Sequence, residues 1–427
     1  MSNITFFART DYRGEDKAFG IRKEDRRYHA YVIGKTGMGK TTLLLNMILS
    51  DILSGEGAGV IDPHGDLAET ILDYIPSRRI NDVVYFDPSD IDYPVSLNIL
   101  ERTPPERRHI VVSGLLSVFK RLWREFWGPR MEHIFRNAIL ALLEYPGNST
   151  LLGIQRMLHD PDYRERVIKK VNDPVVKAFW EEEFRGYYQR LQSEALSPIQ
   201  NKVGQFLSTP LVRNIVGQVR TKIDFKGLMD DGKILICNLS KGRIGEENSS
   251  LLGSLIITKL QLAAMERIDT PEDRRRDFYL YVDEFQNFVN TDVFSHILSE
   301  ARQYRLCLTM AHQYVSQLDK SVMEAVFGNV GTILSFAVGA TDAELLETIF
   351  YPVFSRNNLL NLDKHSIYLR MAIDGKSSHP FSARTLPPFH GVEFQGNRDK
   401  VIRVSRERYA ESRNDVEDKI KRWMSSC

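Results

Sequence analysis

Eight consecutive residues, Gly34-Lys35-Thr36-Gly37-Met38-Gly39-Lys40-Thr41, have the types and spacing of a phosphate-binding loop. Glycines there let backbone N–H groups curl around a triphosphate with no Cβ in the way. Lys40 is placed to neutralise the β and γ oxygens, the Thr41 hydroxyl to ligate Mg²⁺, and Thr42 to add a contact to the α-phosphate. Far downstream, the apolar run Phe278-Tyr279-Leu280-Tyr281-Val282 ends in Asp283-Glu284. Burying such a run as a strand forces its two acids to the carboxyl edge of a sheet, where α/β proteins bind ligands. Asp283 is then expected to hold Mg²⁺ through water, and Glu284 to polarise the attacking water as general base. The chemistry implied is hydrolysis of a nucleoside triphosphate, with ATP and Mg²⁺ as cofactors.

Two further groups close strands on the same expected edge. Residues 306–311 lead into His312-Gln313, and Gln313 is the choice to touch the γ-phosphate or the lytic water. Asp62-Pro63-His64-Gly65-Asp66 ends another strand. Asp62 or His64 lining the nucleotide site is one reading of it; a turn with a helix cap at Asp66 is the other.

The elements that must position these residues follow from apolar patterning. Strands are predicted over 28–34, 57–62, 82–87, 233–239, 278–283, 306–311, 332–338 and 367–372, with the acidic pair on a neighbour of the P-loop strand. Helices are predicted over 40–53, 67–75, 249–267 and 293–304, and a single amphipathic helix over 407–425. Strands alternating with helices imply parallel βαβ units. Between residues 107 and 218 the texture changes: apolar residues recur at helical spacing, and Gly128-Pro129, Pro146-Gly147, Pro161 and Pro174 punctuate helices. The expected fold is therefore α/β, a mainly parallel sheet interrupted by an all-helical insertion. Its expected bounds are 1–104 and 227–395 for the two parts of the nucleotide-binding domain, 105–226 for the insertion, and 396–427 for a charged helical tail.

Composition narrows the class. The 427 residues are 42% hydrophobic and 26% charged, which excludes a disordered or collagen-like chain. Three scattered cysteines, Cys237, Cys307 and Cys427, fit free thiols in a reducing compartment. The ten histidines show no HExxH spacing, so no zinc is expected. No signal peptide or membrane span is expected either, and the localisation read from this is cytoplasmic. Net charge is +1, but residues 101–230 carry 21 basic against 15 acidic residues. Within them Arg107, Arg108, Lys120, Arg121, Arg124, Arg130 and Arg136 are interleaved with Phe119, Trp123, Phe126 and Trp127. Those aromatics either pack the helical module, the favoured reading, or stack bases at a DNA entrance.

The P-loop, the Asp-Glu pair and the downstream Gln form an ordered set. With Asp62-Pro63-His64-Gly65-Asp66, Trp127-Gly128-Pro129-Arg130, Asn238-Leu239-Ser240-Lys241-Gly242 and Gly328-Asn329-Val330-Gly331-Thr332, the chain resembles the FtsK/HerA-like motor ATPases. Within them it looks most like the cytoplasmic part of type IV secretion coupling proteins of the TraD/TrwB/TraG type. The resemblance implies a RecA-like P-loop NTPase that assembles as a hexamer, with ATP between subunits, DNA in the pore, and relaxase or secretion-channel proteins as partners. It also implies an arginine that reaches the neighbouring subunit's nucleotide, 18 residues beyond the acidic Glu and 11 before the Gln. Arg302 meets both spacings, and Arg305 is the alternative. Coupling proteins usually begin with membrane helices; without one, the chain is expected to reach the inner membrane through a partner or to act as a free DNA motor. A HerA-like translocase in repair or defence, and an ATP-gated adaptor that docks protein cargo, are the competing functions.

Overall fold

The structure, a computed structural model, describes residues 3–11, 13–101, 103–145, 149–186, 197–289 and 291–425. Cys427 and the Pro146-Gly147 punctuation lie outside them. Two compact units are formed, one by residues 1–86, 225–240 and 263–405, the other by residues 87–224, 241–262 and 406–427.

The first unit contains a sheet of eleven strands. In chain order the strands of this unit are β1 Ile4–Thr10, β2 Ala18–Arg22, β3 Ala30–Ile33, β4 Gly57–Asp62, β5 Val83–Phe86, β6 Ile234–Asn238, β7 Phe278–Val282, β8 Leu306–His312, β9 Thr332–Ser335, β10 Ser366–Arg370, β11 Ala372–Ile373, β12 Lys376–Ser377 and β13 Phe381–Thr385. The sheet order is β2-β1-β13-β10-β9-β3-β8-β7-β4-β6-β5, and β11 and β12 form a separate hairpin. From β9 to β5 all neighbours are parallel; β10, β13, β1 and β2 extend the sheet antiparallel. The parallel strands are short apolar runs buried along their whole length, as strands covered on both faces must be. Against them the helix Lys40–Leu53 buries Leu43, Leu44, Ile48 and Ile52, which pack into a core shared with Val32, Val60, Ile236 and Tyr281.

One expectation is corrected here. The acidic strand β7 is not a neighbour of the P-loop strand β3, because β8 stands between them. Inserting β8 gives its end, His312-Gln313, a place between the phosphates and the acids.

The second unit is helical. Arg108–Leu122, Pro129–Glu144, Leu151–His159, Pro161–Ile168, Pro174–Ala178, Ser197–Ser208 and Pro210–Val216 build it, and several start with proline, whose missing N–H costs nothing at a first turn. Phe119 and Trp123 are buried and meet Phe135 edge to face, and Trp123 also meets Phe206, so these aromatics pack the helical core. Phe126 is exposed. The unit reaches beyond the expected bounds. Residues 241–262 belong to it, with Lys259 ion-paired to Glu101 at 3.0 Å and Arg121 donating to Ser254 Oγ at 3.3 Å. Residues 406–427 do too: Asn214 Nδ2 donates to Glu417 at 3.1 Å, and Arg156 to the carbonyl of Trp423 at 2.8 Å. The charged tail is two helices, Arg398–Tyr409 and Arg413–Ser425, rather than one. Among the described residues no helix is long and apolar enough to cross a membrane.

Candidate nucleotide site

Strand β3 delivers the chain into the P-loop, and Lys40 opens a helix of 14 residues whose N-cap is Gly39. The loop is braced by its neighbours. Gly34 N–H donates to the carbonyl of His312 at 3.4 Å, and Lys35 N–H to that of Ala337 at 2.8 Å. Those two amides therefore fix the loop instead of facing its cavity. The carbonyl of Met38 accepts from His365 N–H at 3.0 Å. Lys40 is buried, with Nζ donating to the carbonyls of Gly34 at 2.7 Å and Lys35 at 3.2 Å. Burial lowers its pKa, and the nearby charges of Glu284 and Asp283 work against that shift. Thr41 is exposed and Thr42 half-buried at the same helix start.

On the other side of β8, the residues after β7 face the loop. Asp283 N–H donates to the carbonyl of Ile61 at 3.1 Å, which sets Asp283 beside Asp62 at the end of β4. Asp283 is buried, and desolvation, followed by the charges of Asp62 and Glu284, raises its carboxyl pKa to about 7. A buried acid held so near neutrality is a hard-oxygen donor that gains from a divalent cation. The chemistry of Asp283 thus suits a divalent cation beside a bound nucleotide. Glu284 adopts a left-handed backbone, φ 45°, uncommon for a side chain of its size. Its carboxylate is held on both oxygens: Gln313 Nε2 donates to Oε1 at 2.8 Å and Gln286 Nε2 to Oε2 at 2.8 Å.

Gln313 joins the two halves. Its Oε1 accepts from Thr36 Oγ1 at 2.8 Å, so a hydrogen-bonded chain runs from the P-loop through Gln313 to Glu284. Lys40, Asp283, Glu284 and Gln313, read from distant parts of the sequence, meet on one edge of the sheet. Sequence reasoning passed over His312, which precedes Gln313. Its ring is buried, bonded through Nε2 to the Tyr31 hydroxyl, and desolvation pushes its pKa down to about 3. A neutral histidine locked there anchors the end of β8. Its signal was a polar residue inside a buried run.

Both readings of Asp62 leave a trace. Its carboxylate accepts from His64 N–H at 2.8 Å and from Ala68 N–H at 2.9 Å, so Asp62 itself serves the start of the helix Asp66–Leu72. The cap expected of Asp66 is absent, since Gly65 is the N-cap and Asp66 lies in the first turn.

Arg302 lies elsewhere. It precedes β8, whose seven residues separate it from Gln313 by about 20 Å of extended chain, so it stands at the amino edge of the sheet. No arginine side chain spans that distance to its own P-loop. Around it is a cleft of about 520 Å³. Arg27 there is bonded twice to Asp277 and Arg305 is paired with Glu272, whereas Arg302 has no carboxylate partner among the described residues.

Residues 277–349, which include β7, β8 and β9, match the family described as the TraM recognition site of TraD and TraG. Among solved structures, the chain is similar to the bacterial conjugative coupling protein TrwB in its unbound monoclinic form, at 16% identity and TM-score 0.63 over 88% of each chain. Against TrwB in complex with ADP and Mg²⁺ the identity is 16% and the TM-score 0.59, over 93% of this chain and 97% of that one. Similarity extends to VirB4 of Thermoanaerobacter pseudethanolicus, at 13% identity and TM-score 0.62, over 91% and 97%. No curated protein sequence matches. The fold is the RecA-like P-loop NTPase fold of these proteins, and the chain is similar to TraD/TrwB-type coupling proteins.

Proposed function

We propose that the chain is an ATP-hydrolysing motor of the conjugative coupling type, which binds DNA and moves it through a ring of like subunits, a hexamer on the family's pattern. The observation that carries the ATPase reading is the continuous chain Thr36–Gln313–Glu284, which ties the phosphate-binding loop to a buried acidic pair on one sheet edge. The TrwB structures with ADP and Mg²⁺ and with a non-hydrolysable ATP analogue support the choice of nucleotide. The match to a TraM recognition site supports a protein partner in addition to DNA, with relaxase or channel components as candidates.

In this reading the P-loop and the helix start after Gly39 bind the phosphates, and Lys40 turns from the loop carbonyls to the β and γ oxygens. Thr41 and, through water, Asp283 would hold Mg²⁺, which would supply positive charge beside those oxygens. Glu284 takes the proton of the attacking water, held in aim by Gln286 and Gln313. Gln313 contacts Thr36 and Glu284 together, so a γ-phosphate arriving at the loop rearranges the general base's own hydrogen bond. Arg302 of one subunit serves the nucleotide of the next, where such a finger contributes on the order of 10³–10⁵ in rate.

The test is ATPase activity with and without single-stranded and double-stranded DNA, for wild type, Lys40→Ala and Glu284→Gln. Lys40→Ala loses nucleotide binding. Glu284→Gln keeps binding and loses about 10²–10⁴ in turnover. Stimulation by DNA is expected in the wild type alone. Undiminished hydrolysis by Glu284→Gln overturns the site; failure of both DNA forms to stimulate overturns the motor and favours a protein-docking ATPase.

A further inference from the structure

At the amino edge of the sheet, one aromatic residue organises the cleft around Arg302. The Arg302 guanidinium lies 3.8 Å from the centre of the Tyr28 ring, and its Nη2 donates to the Tyr28 hydroxyl at 2.8 Å. Glycine backbone approaches the half-buried Tyr28 closely at two further points. A Cβ on Gly331 would sit 2.6 Å from Tyr28 Cβ, and Gly331 N–H donates to the Tyr28 carbonyl at 2.6 Å. A Cβ on Gly375, which has φ +72°, would sit 2.8 Å from the phenol oxygen. Gly375 is pinned in turn, since its N–H donates to Asp25 Oδ1 at 3.0 Å while Asp374 N–H donates to Oδ2 at 3.3 Å. Two unrelated loops thus converge on one tyrosine, and the Gly328–Thr332 stretch acquires a reason for Gly331.

The chemistry of the contact is selective. Arg27 and Arg305, at the same cleft, are neutralised by Asp277 and Glu272. A ring face and a neutral phenol oxygen hold a guanidinium in place while leaving its charge whole, which a carboxylate does not. An arginine that must reach a phosphate on another molecule needs both properties: a fixed direction and an unspent charge.

We propose that Tyr28 is a positioning residue for Arg302, holding it extended from the amino edge of one subunit for the phosphates bound by the next. The proposal rests on the reading of Arg302 as a residue acting in trans.

Full-length Tyr28→Leu, Tyr28→Phe, Arg302→Ala and both double variants test it, by kcat and KM for ATP in the DNA-bound assembly, with binding of a fluorescent ATP analogue measured separately. Expected for Tyr28→Leu are a kcat at least tenfold down, KM and analogue affinity within twofold of wild type, and no further loss when combined with Arg302→Ala. Tyr28→Phe, keeping the ring and losing the hydroxyl, falls between wild type and Tyr28→Leu. Losses that multiply in the double variants, or a Tyr28→Leu kcat equal to wild type, overturn the positioning role while leaving Arg302 in its own. Full activity of Arg302→Ala overturns the trans reading itself, and the Tyr28 role with it. Should Tyr28→Leu fail to fold, the Tyr28→Phe and Arg302→Ala pair supplies the same cycle: the phenylalanine effect must vanish when Arg302 is gone.

Discussion

A single glycine shows how tightly the P-loop is specified. Gly39 has φ +121°, a region that L side chains rarely adopt, and a Cβ there would lie 2.8 Å from His365 Nδ1. The main chain of His365 is fixed, its N–H bonded to the Met38 carbonyl and its carbonyl accepting from Thr385 N–H at 2.9 Å, so only the imidazole ring can give way. Gly39→Ala therefore strains the loop from both directions. Strain of about 1–3 kcal/mol at such a position corresponds to nucleotide binding roughly 5- to 150-fold weaker. Titration with a fluorescent ATP analogue reads this directly. An affinity equal to wild type would show that the loop relaxes around the methyl group.

At the scale of elements, a buried ion pair sets the P-loop helix against the acidic strand. Arg26 donates to Asp51 Oδ1 at 2.6 Å and Oδ2 at 2.9 Å, to the Tyr281 hydroxyl at 2.6 Å and to Thr5 Oγ1 at 2.9 Å, and lies 3.5 Å from the Tyr279 ring centre. It thereby ties the helix Lys40–Leu53 to β7 and β1. Removing one partner leaves an uncompensated charge in the core, so Arg26→Met is expected to cost about 3–5 kcal/mol, measured by urea unfolding. Replacing both, as Arg26→Met with Asp51→Leu, is expected to cost less than Arg26→Met alone; a larger cost rejects this account. None of this network was legible in the sequence, since Arg26 reads as one more charged residue and its partners lie up to 255 positions away. What was legible follows a physical rule. β4 was anticipated to the residue, and β3 and β5 to β9 within a few residues, because a strand buried on both faces is a continuous apolar run; β10, buried only at alternate residues, was also anticipated within a few residues. β1, β2 and β13 were missed because half-exposed antiparallel strands such as Phe381-Ser-Ala-Arg-Thr385 carry too short a pattern to separate from loop. The P-loop and the acids were readable because their chemistry demands particular residues at particular local spacings. Tyr28 was not, because its meaning depends on a side chain 274 positions away.

On the scale of the whole molecule, the decisive relation is that the P-loop follows β3 and Gln313 follows β8, whereas Tyr28 precedes β3 and Arg302 precedes β8. Parallel strands place everything before them on one edge and everything after them on the other, so on the proposed trans reading of Arg302 the chain carries half of a hydrolytic site at each end of its sheet. Two edges that must meet between different copies define a heterologous, head-to-tail contact, which closes into a ring when the rotation allows. The consequence is testable by complementation. Arg302→Ala chains keep an intact acidic pair, and Glu284→Gln chains keep an intact arginine; each alone is nearly inactive. Mixed in equal amounts and allowed to assemble on DNA, about one interface in four pairs a working arginine with a working acid, so activity returns toward a quarter of wild type. Chains carrying both substitutions, mixed with wild type, restore nothing and dilute activity instead. Equal-part mixtures that assemble, shown by sedimentation, yet stay no more active than their separate components would place Arg302 outside the neighbour's site and leave the amino-edge cleft without a part in hydrolysis.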